Sequence, residues 1–413
     1  MPLEFPLHIE KQAAQEWRCS LGRFLFVVPP FAGHINPTVS VGRTLGERGH
    51  EVAWVGHERV LTPLLYEGAQ LIPISDGFGE ETLLALRAKS DTVRGLASMR
   101  FLWEDVLGPL ARSMRPSVEA AVERFRPEVM IADQQALAGP LVARLRGLPF
   151  ATFTTSAAGV VENPLPLVWQ WVLDQLAELQ RQVGLPVVER PDISPELMVV
   201  FTTPALAGPG PYPAHYRFVG PAIGARGNDV PFPWEQLRQG PRILVSLGTV
   251  NAQRGEAFYR ALKQVLADAP VQVILAAPRD QVGEVPPNFL ARDYVPQLAL
   301  LPQVNAVVCH AGQNTVSEAL AHGIPLVVTP IKDDQGLIAT QVVACGAGLR
   351  VRYGRLRPSE LGQAIARVLS EPGFREAALA VKASFEAAGG ASRAADYLEE
   401  FLGQKSGTSR ISA

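Results

Sequence analysis

The stretch from Cys309 to Gln335 constrains the fold of this chain more than any other segment. A β-branched run ends at its first residue, a turn of small residues follows, and a helical pattern extends from Gln313 to about Gly323. A second apolar run, 326–328, then leads into polar residues. Strand, helix and strand in this order predict a parallel β-α-β unit whose loops bind ligands at the carboxyl ends of the strands. The helix start offers N–H groups and partial positive charge, so we expect a phosphate-bearing ligand, with a sugar nucleotide as the first interpretation.

The same alternation of strands and helices extends along most of the chain. It runs from residue 23 to about 219, and a second series begins at Arg242. Because 413 residues are too many for one ordinary core, two domains are expected, each a doubly wound parallel α/β sheet, facing each other across a cleft. The predicted boundaries are an N-terminal domain at 1–223, a Pro- and Gly-rich linker at 224–240, a C-terminal domain at 241–403 and a disordered tail at 404–413.

Composition and missing motifs exclude several classes of protein. A net charge of −2 and a pI near 6.4 give no footprint for nucleic acid. There is no GxGxxG after the first strand and no P-loop, HExxH or GxSxG motif, which disfavours dehydrogenases, ATPases, zinc proteases and serine hydrolases. There is also no DxD pair to hold a metal on a diphosphate. If the chain transfers a sugar, a helix dipole and side chains have to stabilise the departing diphosphate without a metal ion.

The compartment is also constrained by the sequence. Three widely spaced cysteines form neither a disulfide framework nor a zinc pattern, which favours a reducing environment. The first twenty residues contain acids and lack a long apolar core, so no signal peptide is expected. No uncharged apolar run approaches the ~18 residues that span a bilayer. We therefore expect a cytoplasmic protein without integral membrane contact.

Seven short motifs occur in order along the chain. They are Gly33-His34-Ile35-Asn36-Pro37, Ala132-Asp133, Ser246-Leu247-Gly248-Thr249, Tyr294-Val295-Pro296-Gln297, His310-Ala311-Gly312-Gln313-Asn314-Thr315 with Glu318, Gly323-Ile324-Pro325, and Asp334-Gln335. With these motifs the chain resembles the family 1 glycosyltransferases from residue 23 to about 402. Within that family it is similar to bacterial natural-product enzymes that act on macrolides and on carotenoids such as zeaxanthin. The resemblance implies an enzyme of antibiotic or other secondary metabolism with the GT-B fold, whose C-terminal helices return to the N-terminal domain.

The resemblance implies a catalytic pair, His34 and Asp133. His34 falls in a predicted loop, 29–37, before a helix predicted at 38–48, and its ordinary pKa of about 6.5 suits a general base that takes a proton from an acceptor hydroxyl. Asp133 follows another strand of the same domain and resembles the acid that orients such a histidine. The ordinary alternatives are a loop histidine and a helix-capping aspartate.

The resemblance also implies a donor site in the C-terminal domain. Asn314 and Glu318 are four residues apart, so they share one face of the predicted helix. Hydrogen-bond donors around the two strand ends would stabilise the charge that develops on the leaving diphosphate. The residues of this diphosphate site are Ser246, Gly248, Thr249, His310, Gly312, Asn314 and Thr315.

The nucleoside and the hexose have their own candidate residues. Glu318 and Gln297 would bind the ribose, although a solvated helix residue is the ordinary interpretation of such a glutamate. Tyr294 occupies the family's tryptophan position and would stack on the base, with Val295 contacting the base through its backbone. The ordinary interpretation of Tyr294 is a half-buried core aromatic.

Asp334 and Gln335 resemble the pair that bonds the hexose hydroxyls. A site built from a carboxylate and an amide discriminates strongly against sugars that lack the matching hydroxyls. The chain departs from the common family pattern at Ala311 and at Ile338. These departures leave open the donor sugar and the choice between uridine and thymidine diphosphate.

The acceptor cleft is expected over the N-terminal domain, where the sequence is least informative. Large apolar residues that could line it are Met99, Phe101, Trp103, Phe153, Trp169 and Trp171. Core packing is an equally good interpretation of each. A cleft with this lining would bind a hydrophobic polyketide, macrolide, terpenoid or aromatic acceptor.

The predicted function is that of an inverting, metal-independent O-glycosyltransferase that moves a hexose to a hydroxyl of a hydrophobic natural product. Its co-substrate would be a nucleotide sugar, UDP- or TDP-hexose and most simply UDP-glucose-like, with no other cofactor and no nucleic-acid partner. One alternative is a nucleotide-sugar epimerase or hydrolase on the same fold. A second is a transferase-like partner protein without catalytic activity. The sequence leaves the oligomeric state and the acceptor open.

Overall fold

The computed structural model describes residues 21–74, 79–90, 92–93, 95–155, 159–160, 166–224, 230–248 and 255–411. Over these residues the chain forms two parallel β-sheets. The strands of the first sheet are β1 Arg23–Val27, β2 Glu51–Gly56, β3 Gln70–Pro73, β4 Val129–Asp133, β5 Phe150–Thr154, β6 Met198–Val200 and β7 Tyr216–Phe218. Those of the second are β8 Arg242–Ser246, β9 Gln272–Ala276, β10 Phe289–Arg292, β11 Ala306–Cys309, β12 Leu326–Val328 and β13 Gly348–Arg350.

Helices connect the strands of each sheet. Those of the first half are α1 Ala32–Glu47, α2 Glu58–Leu61, α3 Glu80–Ser90, α4 Leu96–Arg100, a π-helix Phe101–Leu107, α5 Gly108–Phe125, α6 Ala138–Arg146, α7 Pro166–Gln182 and α8 Pro204–Ala207. Those of the second half are α9 Glu256–Leu266, α10 Arg279–Val282, α11 Gln297–Leu300, α12 Gln313–Ala321, α13 Gln335–Ala344, α14 Pro358–Ser370, α15 Pro372–Ala388 and α16 Gly390–Ile411. Three short 3-10 turns add Trp234–Gln236, Leu301–Gln303 and Tyr353–Arg355.

The strand order places one crevice in each sheet. The first sheet runs β3-β2-β1-β4-β5-β6-β7 and the second β10-β9-β8-β11-β12-β13. The direction of winding therefore reverses between β1 and β4 in one sheet and between β8 and β11 in the other. Ligands of open α/β sheets bind outside the carboxyl ends of the strands at such a point. The sequence prediction of two doubly wound parallel sheets is confirmed.

The strands are continuous apolar runs because helices cover both faces of each sheet. In β1, Phe24 and Phe26 pack on one face, while Leu25 and Val27 pack on the other, and all four are fully buried. This is the two-residue period of a strand. Successive apolar residues would otherwise expose half of their side chains to water.

The last helix returns to the first sheet, as the resemblance implied. Leu398 and Phe401 of α16 join the apolar core beside α1 and β1. The Arg48 guanidinium, after α1, donates to Asp396 at 2.9 Å and to Glu399 at 2.8 Å. These contacts fix the end of the chain on the half that carries the amino-terminal sheet.

Two sequence-based boundaries were wrong. The disordered tail predicted from 404 is helical through Ile411, because a helix that is already packed extends without a new nucleation cost. The helix predicted at 38–48 begins at Ala32, so most of the predicted loop 29–37 is its first turns, with Pro37 inside the helix. The predicted domain boundaries stay predictions, and residues 225–229 of the linker lie outside the described part of the chain.

Candidate active site

Two side chains meet at the point of reversal in the first sheet, His34 and Asp133. His34 lies in the first turn of α1, directly beyond β1, and Asp133 is the last residue of β4. The ring Nδ1 lies 3.0 Å from both carboxylate oxygens. The side chain of Asp133 is 0% exposed and that of His34 is 17% exposed. A ligand can therefore reach the imidazole but not the carboxylate.

The carboxylate controls the charge state of His34. Burial alone would lower the pKa of the imidazole, but the charge of Asp133 and its hydrogen bond outweigh burial, with a further contribution from Asp334. The pKa of His34 is therefore raised above its ordinary value of 6.5. The backbone N–H of Gln135 donates to Asp133 Oδ1 at 2.8 Å and helps to hold the carboxylate. The site thus contains a partly exposed base of increased proton affinity.

Thr155 belongs to the same cluster, although the sequence did not single it out. Its Oγ1 lies 2.8 Å from His34 Nδ1 and 3.2 Å from Asp133 Oδ2. Thr155 directly follows β5, the strand that pairs with β4. A hydroxyl one residue beyond a predicted strand was the signal that could have found it.

The second sheet carries a turn built around His310, beyond the end of β11. Ala311 has a φ of 65° and precedes Gly312, the residue before α12. A Cβ on Gly312 would lie 2.4 Å from His310 Nε2, and one on Gly248 would lie 2.6 Å from Cε1 of the same ring. Both glycines are therefore needed to seat the imidazole. Burial lowers the pKa of His310 to about 4, so this histidine is neutral at physiological pH.

The loop after β8 forms the other wall of this turn. Ser246 ends the strand, and its Oγ accepts the backbone N–H of Gly248 at 3.2 Å. Gly248 has a φ of 74°, a conformation that favours glycine. Thr249, the third predicted residue of this loop, lies outside the described residues. The loop thus brings the predicted Ser246 and Gly248 next to His310.

The start of α12 has the properties of an anion site. Gly312 precedes the helix without a side-chain cap, and no acid occurs in the first turn. The backbone N–H groups from Gln313 to Thr315 precede the first intrahelical bond, which Val316 donates to Gly312. The helix dipole adds partial positive charge at the same place. This helix end therefore offers hydrogen-bond donors and partial positive charge to an anion.

One contact joins this helix to the base-bearing helix of the first sheet. Asn314 Nδ2 donates to the carbonyl oxygen of Gly33 at 3.4 Å. Pro37 has no N–H, so it cannot give that carbonyl its usual partner four residues along the helix. The missing bond inside α1 leaves the carbonyl of Gly33 available to the other sheet.

The nucleoside candidates are arranged as a wall beside α12. Gln297 Nε2 donates to Glu318 Oε2 at 2.6 Å, and Glu318 is only 3% exposed, so the interpretation as a solvated helix residue is wrong. Tyr294 is 71% exposed, so it is not a half-buried core aromatic either. Val295 packs at the edge of the apolar core of the second sheet. An exposed ring and a buried carboxylate are groups that suit a base and a ribose.

The two predicted hexose residues lie at the start of α13, with Asp334 just before the helix and Gln335 as its first residue. Gln335 is buried, and its Oε1 accepts the N–H groups of Ile331 at 2.8 Å and Lys332 at 3.1 Å. The amide oxygen of Gln335 thus holds the loop before the helix, and the NH2 of the same group is left for a ligand. Asp334 acts on the charge of His34, which places this loop close to the base. Lys332, a residue that the sequence did not single out, donates from Nζ to Ser90 Oγ in the first half at 2.8 Å.

Ile338, where the family pattern has asparagine, lies one turn into α13. It is fully buried in the apolar core of the second sheet. The structure thus gives Ile338 a packing role inside the second half.

The acceptor candidates do not form one surface. Phe153 was expected to line the cleft, but it is fully buried between Phe26 and Phe201, so this prediction was wrong. A residue inside a covered strand cannot reach a cleft beyond its end. Met99 is half-buried, Phe101 is buried beneath Lys89, and three half-buried tryptophans pack at the edge of the cluster between α6 and α7, namely Trp103, Trp169 and Trp171.

The described ranges of the chain have two further properties. No three of the His, Cys, Asp and Glu side chains there are close enough together to hold a metal ion. None of the helices in the same ranges is long and apolar enough to cross a membrane.

Known proteins resemble this chain over almost its whole length. Residues 260–400 match the family described as Erythromycin biosynthesis protein CIII-like, C-terminal domain. The 4′-demethylrebeccamycin synthase of Lentzea aerocolonigenes is 27% identical, over 91% of this chain and 99% of the relative. The demethyllactenocin mycarosyltransferase of Streptomyces fradiae is 26% identical, over 96% of this chain and 90% of the relative.

Solved structures give the same result for the fold. The glycosyltransferase of kitacinnamycin superposes with a TM-score of 0.76 at 26% identity, covering 92% of this chain and 99% of that one. Fold and relatives define this chain as a glycosyltransferase with the GT-B fold. More particularly, it is similar to proteins whose names refer to natural products, namely rebeccamycin, lactenocin and kitacinnamycin.

Proposed function

We propose that this glycosyltransferase is an inverting, metal-independent O-glycosyltransferase that acts on a hydroxyl of a hydrophobic natural product. Its donor is a hexose on uridine or thymidine diphosphate. One observation carries the proposal: His34 Nδ1 lies 3.0 Å from both oxygens of the buried Asp133, on the helix that also contacts the start of α12. A base and an anion site thus face each other across the two sheets.

His34 acts as the general base. Asp133 accepts the Nδ1–H of the ring, so Nε2 accepts the proton of the acceptor hydroxyl as its oxygen attacks the anomeric carbon. The bond between that carbon and the diphosphate oxygen breaks, its electron pair leaves with the diphosphate, and the anomeric configuration inverts. The negative charge of Asp133 stabilises the imidazolium that forms.

The leaving diphosphate is stabilised at the start of α12. Its negative charge grows as the glycosidic bond breaks, so N–H groups aimed at it lower the transition state more than the ground state. Gly312, Asn314 and Thr315 supply backbone donors, and Ser246 lies beside them. Because burial lowers the pKa of His310 to about 4, that ring contributes a neutral hydrogen bond and no charge.

The nucleoside and the hexose lie on either side of the diphosphate. The exposed ring of Tyr294 stacks on the base, and Glu318, held by Gln297, accepts the ribose hydroxyls. Asp334 and the amide NH2 of Gln335 bind the hexose hydroxyls. This order leaves the anomeric carbon between the start of α12 and His34.

The relatives support a pyrimidine nucleotide. Two Bacillus subtilis relatives, 28% and 27% identical, carry the names UDP-glucosyltransferase and NDP-glycosyltransferase. Two structural neighbours at 22% identity were solved with thymidine diphosphate. A tyrosine that reads the base by stacking tolerates either pyrimidine, since both present the same kind of π-face.

The first sheet and the relatives support the proposed class of acceptor. The partly buried aromatic residues near α7, Trp103 and Trp169, provide apolar surface for a hydrophobic ring system. The relatives named above are called after rebeccamycin and lactenocin. The acceptor is therefore an apolar molecule with at least one hydroxyl, and it binds over the N-terminal half.

Product analysis tests this proposal. The purified chain is incubated with UDP-glucose or TDP-glucose, a library of hydrophobic alcohols and phenols, and EDTA, and products are identified by mass spectrometry and NMR. We expect a β-glycoside from an α-linked donor, undiminished by the chelator. Free hexose or an epimer formed without acceptor would instead support a hydrolase or epimerase. No product and no donor consumption would contradict catalysis by this chain.

A further inference from the structure

The Thr155 hydroxyl contacts both other members of the base cluster, the His34 ring and the Asp133 carboxylate. Its Oγ1 is 2.8 Å from His34 Nδ1 and 3.2 Å from Asp133 Oδ2. The residue is 7% exposed, at the end of β5. Thr155 belongs to none of the motifs, and sugar transfer by itself requires no hydroxyl at this position. The role of Thr155 therefore has to follow from its contacts.

The direction of each hydrogen bond follows from what each group can donate. Ionised Asp133 only accepts, so the Thr155 hydroxyl hydrogen points to Oδ2. A lone pair of Oγ1 then faces His34 Nδ1, which suits a ring that carries its hydrogen on that nitrogen. The backbone N–H of Gln135 occupies Oδ1 at 2.8 Å. All three contacts therefore favour the same arrangement.

This arrangement selects one tautomer of the ring. With hydrogen on Nδ1, the ring donates to Asp133 and to Thr155, and Nε2 carries the lone pair needed for a base. With hydrogen on Nε2, Nδ1 would carry a lone pair that faces the Asp133 carboxylate. The Thr155 hydroxyl would then have to turn away from Asp133 in order to donate to Nδ1. The hydroxyl thus adds to the free-energy difference between a reactive and an unreactive ring.

We propose that Thr155 is a positioning residue that holds the His34 ring in its reactive tautomer and orientation through Asp133 and Nδ1. This inference rests on the proposed function, because it assigns a partner to the base of that reaction. Thr155 itself need not touch either substrate. It forms with Asp133 a two-part clamp on one edge of the imidazole.

A neighbouring threonine provides a matched comparison. Thr154 is the last residue of β5 and is 2% exposed, and its hydroxyl contacts Gln134 Oε1 at 3.4 Å. Thr154→Val removes a buried hydroxyl from the same strand with the same change of shape. A general cost of placing valine at this end of the sheet would therefore appear in both variants.

The experiment measures turnover and donor affinity for Thr155→Val, Thr155→Ala, Thr155→Ser and Thr154→Val, each also checked by thermal unfolding. Loss of hydrogen bonds to a charged group costs roughly 10- to 100-fold in kcat for Thr155→Val and Thr155→Ala. The donor KM stays within about twofold, because the diphosphate site lies on the other sheet. Thr155→Ser retains the hydroxyl and keeps kcat within about threefold of wild type. Thr154→Val behaves like wild type.

Coupling to Asp133 separates positioning from packing. In an Asp133→Asn background the clamp is already broken, so Thr155→Val should lower kcat by less than about twofold further. Equal loss in both backgrounds, failure of Thr155→Ser to restore turnover, or wild-type kcat in Thr155→Val would each overturn the inference. If His34→Ala also turned over normally, the proposed function would be at fault. If only His34→Ala is inactive, the error is confined to Thr155.

Discussion

The proposed chemistry of the site depends on the two nitrogens of one imidazole. His34 Nδ1 faces the buried Asp133, and the partly exposed ring leaves Nε2 to take a proton. The pKa of His310, in the other sheet, is shifted in the opposite direction, because burial without a carboxylate lowers it to about 4. One histidine is thus prepared to gain a proton and the other to stay neutral.

The pH dependence of turnover should follow the pKa of His34. The base is active only when unprotonated, so kcat/KM rises with pH through a pKa above 6.5 and then levels off. Asp133→Asn removes the group that raises this pKa, so the rising limb moves to lower pH. The plateau also falls, by roughly 100-fold or more, because the ring loses its orientation. Profiles of kcat/KM from pH 5 to 9 check both shifts, and an unmoved limb in Asp133→Asn would contradict the pairing.

Single residues were predictable where a motif carried them. His34 and Asp133 were named from the resemblance, and the structure brings them together across 99 residues of sequence. Thr155 was missed because a threonine after a strand forms no pattern by itself. Phe153 was chosen for its size, but its place inside β5 assigns it to the core. These cases differ in which residues lie close together in space, and a single sequence does not contain that information.

The turn between β11 and α12 works as one element. Its glycines allow the His310 ring to lie against the backbone, and its helix start supplies donors for an anion. The turn is thus shaped by the absence of side chains as much as by their presence. A methyl group placed there would disturb donor binding without touching the base.

Gly312→Ala tests this element. The new Cβ would lie 2.4 Å from His310 Nε2, so the ring or the turn must move, and we expect about tenfold weaker binding of UDP or TDP. Gly373→Ala, at the start of α15 with no atom within 4 Å of a new Cβ, is the matched control. Isothermal titration calorimetry measures both. Unchanged nucleotide affinity in Gly312→Ala would show that the turn does not hold the diphosphate.

The elements themselves were largely predictable, and their exact limits were not. Apolar runs bounded by turns predicted most strands, because strands covered on both faces need continuous apolar sequence. The short edge strand β13 has no such run and lacks a signal. The start of α1 was predicted too late because a proline usually marks the first turn of a helix. Here Pro37 lies inside the helix, and the Gly33 carbonyl that it leaves without a helical partner accepts a hydrogen bond from Asn314.

In the proposed mechanism, the whole molecule combines a base on one sheet with an anion site on the other. The polar contacts that connect these parts include those from Asn314 to Gly33 and from Lys332 to Ser90. Each sheet carries its groups at its own point of reversal, so neither half is complete alone. The sequence predicted both sheets but not these contacts, which join residues 281 and 242 positions apart.

Ser90→Ala tests whether the second contact assists the reaction. Its Oγ accepts the Lys332 ammonium, so its loss should lower kcat/KM for the acceptor by about fivefold while nucleotide affinity stays within about twofold. The two effects should not add, and Ser90→Ala in a Lys332→Ala background should change little. Fully additive losses would show that the two side chains act independently.

The central claim is that the first sheet reacts and the second sheet binds, and His34→Ala separates the two most directly. Calorimetry with UDP or TDP and single-turnover kinetics with donor and acceptor are carried out on the same preparation, with His215→Ala as control. We predict nucleotide affinity within about twofold of wild type and turnover lowered by roughly 1,000-fold, the range for loss of a general base. Turnover near that of His215→Ala would contradict the assignment of the base.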